Sequence, residues 1–130
     1  MIGMDSTAII DFSDGNESLK KLLDGLKESL AVNYISYLEV IFGLNLVDEN
    51  YKFEENFYDG LFESFSNLNL DIAACKEASR IRWDLKRKGQ DIGAFDCAIA
   101  GIYLTNGINK IITRNVKHFG RIKGMKAIGY

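Results

Sequence analysis

Apolar positions along this chain change their spacing repeatedly, and each change marks an element. Met1 to Met4 is a short apolar run that stops at Asp5, which predicts a first strand, with a helical turn through Ile9, Ile10 and Phe12 behind it. Between Glu17 and Ser29, the residues Leu19, Leu22, Leu23 and Leu26 share one face of a helix. Leu30 to Ile35 predicts the second strand. Ser36 and Glu39 then have the spacing of a capping box, with Ser36 as N-cap and Glu39 at the third helical position. Phe53, Phe57, Leu61 and Phe65 recur every four residues, with Tyr58 and Phe62 beside them. Core burial is the expected place of that face. Its breadth, with Glu54, Glu55, Asp59 and Glu63 opposite, would also suit burial against another chain. Leu68 to Leu70 reads as a brief strand, and Asp71 caps a helix that reaches Lys88 and stops at Gly89.

The stretch from Gly89 to Asn115 organises the rest. It reads as a loop, a helix with Asp96 in its first turn, a tight turn at Asn106-Gly107, and a strand over Lys110 to Thr113. Cys97 to Leu104 carries no charge, so that helix is covered on most sides, and its Ala and Gly positions allow close approach. Lys126 to Ile128 closes the chain as a last strand. Strand and helix alternate throughout, which predicts an α/β fold with a mostly parallel central sheet and helices on both faces. No repeat, linker or low-complexity segment divides the 130 residues, so one domain over 1–130 is expected.

Ligands of such sheets bind at the carboxyl ends of the strands. Asp5 ends the first strand, Glu39 lies in the helix leaving the second, Asp96 opens a helix starting at the same rim, and Asn115 follows Thr113. Asp5 and Glu39 also fit ordinary capping roles. Together, however, three carboxylates at one edge repel, so some take up protons or a cation sits among them. Carboxylate and amide oxygens suit Mg²⁺ or Mn²⁺, whereas zinc would want a His/Cys cluster. His118 is the single histidine and reads as a surface or substrate-side residue; Cys75 and Cys97 form neither a disulfide framework nor a metal knuckle.

Charge adds one asymmetry. The net value is −2, but residues 1–70 hold 13 acids against 4 bases, and residues 71–130 hold 5 acids against 12 bases. A basic second half, with Lys86, Arg87 and Lys88 adjacent, either faces a polyanion or complements the acidic half. No apolar run has the ~20 residues of a membrane span, and the N-terminus lacks a signal-like core, so a cytoplasmic protein is expected.

Four segments, MDSTAIID, SYLEVIFGL, IGAFDCAIAG and ITRNVKHF, together resemble a PIN-domain nuclease, in particular the VapC-like toxins of toxin–antitoxin pairs. The resemblance covers nearly the whole chain, in the family's order and spacing. It implies a metal-dependent ribonuclease, usually dimeric, inhibited by a small antitoxin protein. By resemblance Asp5, Glu39 and Asp96 fall on the acidic, metal-binding catalytic positions. Asn115 falls on the fourth, where many relatives carry Asp, and Gly101 stands where Ala is frequent, a minor difference. Asp91 does not match the motif and is at most auxiliary. Under that reading Mg²⁺ or Mn²⁺ is the cofactor, Ser6 and Thr113 hydrogen-bond the carboxylates, and Arg114 and Lys117, with the Lys86–Lys88 run, hold the RNA backbone. Two alternatives are weighed. A phosphoryl-accepting receiver domain would want paired acids after its first strand, which Asp5-Ser6 does not supply. A PIN-like binding module without catalysis is the stronger rival, because Asn115 weakens the site.

Overall fold

A computed structural model describes all 130 residues. Its elements are β1 (Ile2–Met4), α1 (Ser6–Ser13), α2 (Glu17–Asp24), β2 (Leu30–Asn33), α3 (Tyr34–Phe42), α4 (Tyr51–Glu63), β3 (Ser66–Leu68), α5 (Ile72–Arg87), α6 (Ala94–Thr105), β4 (Lys110–Ile112), α7 (Val116–Gly120) and β5 (Lys126–Ile128). The five strands form one sheet in the order β3-β2-β1-β4-β5, and every pairing is parallel. The α/β expectation holds.

Alternation along each strand divides the core into two. Ile2, Met4, Val32 and Ile112 face one way, onto Ala8, Ile9, Leu19, Val40 and Phe62. Ala31 and Ile111 face the other way, onto Ile81, Leu85, Ile99, Tyr103 and Phe119. Because both faces are covered, the strands read as continuous apolar runs. No helix is long and apolar enough to cross a membrane.

Several local expectations are corrected. Ser36 is not the cap of α3. Strand β2 stops at Asn33, whose Oδ1 accepts from the Ser36 amide at 2.8 Å, and the helix begins at Tyr34. Glu39 therefore lies in the second turn, with no capping role. The helix at Glu17 ends at Asp24, short of Ser29, where Gly25 takes the C-cap. Strand β3 is Ser66–Leu68, not Leu68–Leu70, and the short α7 after Asn115 has no periodic signal long enough to announce it.

The aromatic face of α4 is only partly core. Phe62 is 2% exposed and packs edge-to-face on Tyr37, whereas Phe53 is 76% exposed and Phe57 is also exposed. Phe42 at the end of α3, and Leu46 and Val47 after it, are also exposed.

Two glycines permit close approaches. A Cβ at Gly3 would lie 2.5 Å from Cε2 of Tyr103, so the ring rests directly on β1. A Cβ on Gly101 would lie 2.7 Å from the Ala74 carbonyl oxygen and 2.8 Å from the Ala78 amide. Glycine at 101 is therefore no minor difference: it is what lets α6 lie against the backbone of α5.

Candidate active site

Asp5 leaves β1 in extended conformation and caps α1. Its Oδ1 accepts from the Ala8 amide at 3.0 Å and from Thr7 Oγ1 at 2.7 Å, and its Oδ2 accepts from Thr113 Oγ1 at 2.6 Å. The cap and the site are thus one side chain. Burial pushes the Asp5 carboxyl above the usual aspartate range, against the pull of those three hydrogen bonds, and the nearby Asp96 pushes it further.

Glu39 reaches the same rim from α3, where its Oε1 accepts from Ser6 Oγ at 3.1 Å. Its carboxyl is also raised, by burial first and then by the charges of Asp96 and Asp5. Asp96, in the first turn of α6, is raised by burial, while His118 acts in the opposite direction. The His118 Nδ1 lies 3.2 Å from Asp96 Oδ2. Asp5, Glu39 and Asp96 thus approach one rim from three separate elements, and the charge of Asp96 bears on both Asp5 and Glu39.

Asn115 joins them through its main chain: its amide donates to Thr113 Oγ1 at 2.8 Å, and that hydroxyl holds Asp5. Its side chain makes no capping bond to α7. Arg114 is less free than the sequence suggests, because its Nε lies 2.8 Å from Asp11 Oδ2. Lys117 is exposed on α7. The Lys86–Lys88 run is largely engaged on its own helix, with Arg87 and Lys88 on Asp84 and Lys86 over the Trp83 ring. Asp91 shapes the loop before α6 by accepting from the Gly93 amide at 3.0 Å.

His118 is half exposed beside the cleft, as a surface or substrate-side residue would be, and its pairing with Asp96 is what sequence reasoning did not foresee. It is the partner of Asp96, brought there by the α7 turn. The available signal was its position five residues after Thr113 in a segment returning to the rim.

A cleft of about 440 Å³ opens beside the carboxylates, lined by Glu39, Ile92, Gly93, Ala94, Phe95 and Asp96. The donor chemistry fits a hard divalent cation. It consists of carboxylate oxygens with hydroxyls behind them, and Ser6 is the one hydrogen-bond partner of Glu39. The side chains are not drawn into a closed cage, since no three acidic, His or Cys groups converge to liganding geometry.

A family model described as "PIN domain" matches residues 4–124. The chain is 25% identical over 123 residues to the tRNA(fMet)-specific endonuclease VapC of Salmonella typhimurium, covering 93% of this chain and 90% of that protein. It is 28% identical over 99 residues to the protein of the same name from Shigella flexneri, covering 75% of this chain and 72% of that one. Among solved structures, VapBC-1 from nontypeable Haemophilus influenzae superposes with a TM-score of 0.82 at 26% identity, covering 99% of this chain and 98% of that one. VapBC2 from Rickettsia felis, bound to a promoter DNA fragment, superposes with a TM-score of 0.84 at 19% identity, covering 100% and 99%, a likeness of fold.

Proposed function

Because this chain belongs to the PIN-domain family, we propose that it is an endoribonuclease dependent on a divalent cation, and the toxin of a toxin–antitoxin pair. The observation that supports the reading is that Asp5, Glu39 and Asp96 all lie at the carboxyl rim, the charge of Asp96 acting on the other two, beside an open cleft. The names of its relatives make tRNA the first substrate to try.

Asp5, Glu39 and Asp96 would hold Mg²⁺ or Mn²⁺, with Asn115 as a weaker neutral donor. The bound ion supplies an acidified water and offsets charge on the phosphate oxygens. The chain's own contribution is orientation. Thr113 and Thr7 fix both oxygens of Asp5, Ser6 fixes Glu39, and His118 turns Asp96. Lys117 and Arg114, beside the exit of β4, would meet backbone phosphates, which gives affinity without sequence choice. The Arg114–Asp11 pair is solvent-facing on the arginine side, and Asp11 keeps the Tyr130 hydroxyl as a partner when Arg114 turns to phosphate. Cleavage of tRNA by the purified protein in Mg²⁺ or Mn²⁺, abolished by chelation, is the test. Binding of RNA without cleavage would favour the non-catalytic module, which Asn115 and the open ligand geometry keep in view.

Asn115 gives a graded prediction. An amide offers a neutral acceptor where aspartate offers charge, so half-maximal cleavage should need relatively high Mg²⁺, with Mn²⁺ the better activator. Asn115→Asp should lower the metal midpoint, and Asn115→Ala should cost far less activity than Asp96→Asn. A titration of cleavage against metal for both variants decides it; an unmoved midpoint in Asn115→Asp removes the ligand role.

The exposed apolar surface of α4 suits the antitoxin. It presents Phe53 and Phe57, in the acidic half of the chain. A basic segment with apolar anchors fits such a face. Phe53→Ala and Phe57→Ala should weaken antitoxin binding by at least about tenfold with little change in Tm. Phe62→Ala, by contrast, should cost ~3–5 kcal/mol of stability. Calorimetry of the complex and thermal melts separate the two. Unchanged affinity in the Phe53 and Phe57 variants would move the antitoxin elsewhere.

A further inference from the structure

The Tyr103 side chain is fully buried, and its hydroxyl touches four polar atoms at the point where the pairing of β1 with β2 stops. Direct register between these strands ends at Gly3↔Ala31, while β2 continues with β3 as far as Asn33↔Leu68. One step beyond Gly3, the hydroxyl oxygen accepts from the Met4 amide at 3.2 Å and from Asn33 Nδ2 at 2.9 Å. Its single proton faces the Met4 carbonyl at 2.5 Å, with the Ala31 carbonyl at 3.1 Å. A phenol has one donor and two acceptor sites, so all three are used. The hydroxyl stands between the two strands where a direct backbone bond would otherwise continue the ladder.

Both residues that it ties are next to the site. Met4 immediately precedes Asp5. Asn33 ends β2 and caps α3, holding the Ser36 amide at 2.8 Å and donating to Ser36 Oγ at 3.0 Å, and α3 carries Glu39. Across this gap the one direct bond between the two arms is Ser6 to Glu39. The ring can lie there because residue 3 is glycine. We propose that Tyr103 is a positioning residue for the carboxylate site: its hydroxyl, wedged between the exits of β1 and β2, sets the separation of Asp5 from Glu39. The inference rests on the metal-dependent reading of that site, and Tyr103 itself touches neither ion nor substrate.

The test compares Tyr103→Phe, which keeps the ring over Gly3 and removes the wedge, with wild type. Mn²⁺ binding without RNA is measured by calorimetry, and kcat and KM for RNA by cleavage. Asn33→Ser is the second variant. It keeps an N-cap oxygen for α3 but loses the reach to Tyr103, so it serves if Tyr103→Phe does not fold. Ile108→Ala, buried just before β4 at the amino rim of the sheet, removes side-chain packing and keeps the main-chain bond to the Tyr103 carbonyl, and so controls for lost stability alone. Expected are a loss of about tenfold in Mn²⁺ affinity and a matching fall in kcat for Tyr103→Phe, with KM for RNA unchanged. Asn33→Ser should shift the same way by less, and Ile108→Ala should bind Mn²⁺ like wild type. Unchanged Mn²⁺ affinity in the folded variants, beside a wild type that binds Mn²⁺ and cuts RNA, overturns the wedge and leaves the nuclease reading intact. An equal loss in Ile108→Ala also overturns it. A wild type that neither binds Mn²⁺ nor cuts RNA removes the nuclease reading and this inference with it.

Discussion

Asp5→Asn and Asp96→Asn should each reduce RNA cleavage by at least about a thousandfold while the protein stays folded. Either change removes one of three charges around the cation, and the remaining pair would hold it too weakly and in the wrong place. The fold should tolerate the change at Asp5. An amide oxygen still accepts from Ala8 and Thr7, and the Thr113 hydroxyl can turn to accept from the new NH₂. Stability should in fact rise in the metal-free protein. The folded Asp5 carboxyl titrates above its unfolded value because burial opposes its charge. The native state therefore binds the proton more readily, and stability falls as pH rises through that window. Asparagine has no such fall. Metal-free Asp5→Asn should thus melt above wild type at neutral pH, with the gap closing as pH falls toward the ordinary aspartate value of 3.8. Cleavage assays and melts with chelator check both halves. Metal-dependent cleavage within a few-fold of wild type in either variant would sink the assignment of these carboxylates.

Gly101→Ala should be strongly destabilising, because the added methyl group meets main chain. The new Cβ would meet the Ala74 oxygen at 2.7 Å and the Ala78 nitrogen at 2.8 Å. Both are main-chain atoms inside α5, so no rotamer change relieves the overlap and the two helices must separate. Overpacking of this kind costs ~1–3 kcal/mol where side chains can shift, and the cost is greater against backbone. Alanine's better helix propensity returns only ~1 kcal/mol. A net loss of about 2 kcal/mol or more is expected, roughly 5–10 °C in Tm for a domain of this size. Gly60→Ala is the counterpart. Gly60 sits in α4 with nothing within 4 Å of its added Cβ, so the same change should stabilise by ~0.5–1 kcal/mol. Opposite signs in paired melts are the expected result; a neutral Gly101→Ala would show that α5 and α6 slide past one another easily. Because α6 carries Asp96, the same displacement should also lower cleavage.

Much of this was legible along the chain because it depends on neighbours a few residues apart. Asp71 and Gly89 bracket α5, and Lys126–Ile128 stands as a strand by its own apolar run between turn residues. A sheet buried on both faces makes its strands short apolar runs, so the order of elements follows from where those runs stand along the chain. With that order, the rule that ligands gather at the carboxyl rim was enough to single out Asp5, Glu39 and Asp96 as candidates.

Tertiary structure decided what local pattern could not. Asn33 and not Ser36 caps α3, because the pairing with β3 extends β2 to Asn33 and no further. Phe53, Phe57, Leu61 and Phe65 recur on one helical stripe, yet Phe53 and Phe57 are solvent-facing while Leu61 and Phe65 pack against the core. His118 meets Asp96 across 22 residues, Tyr103 holds Met4 across 99, and Thr113 holds Asp5 across 108. Helix and strand propensities act over one or two turns of chain. Hydrogen bonds and close packing act over a few ångströms of space, and which residues come within that distance is fixed only when the sheet closes.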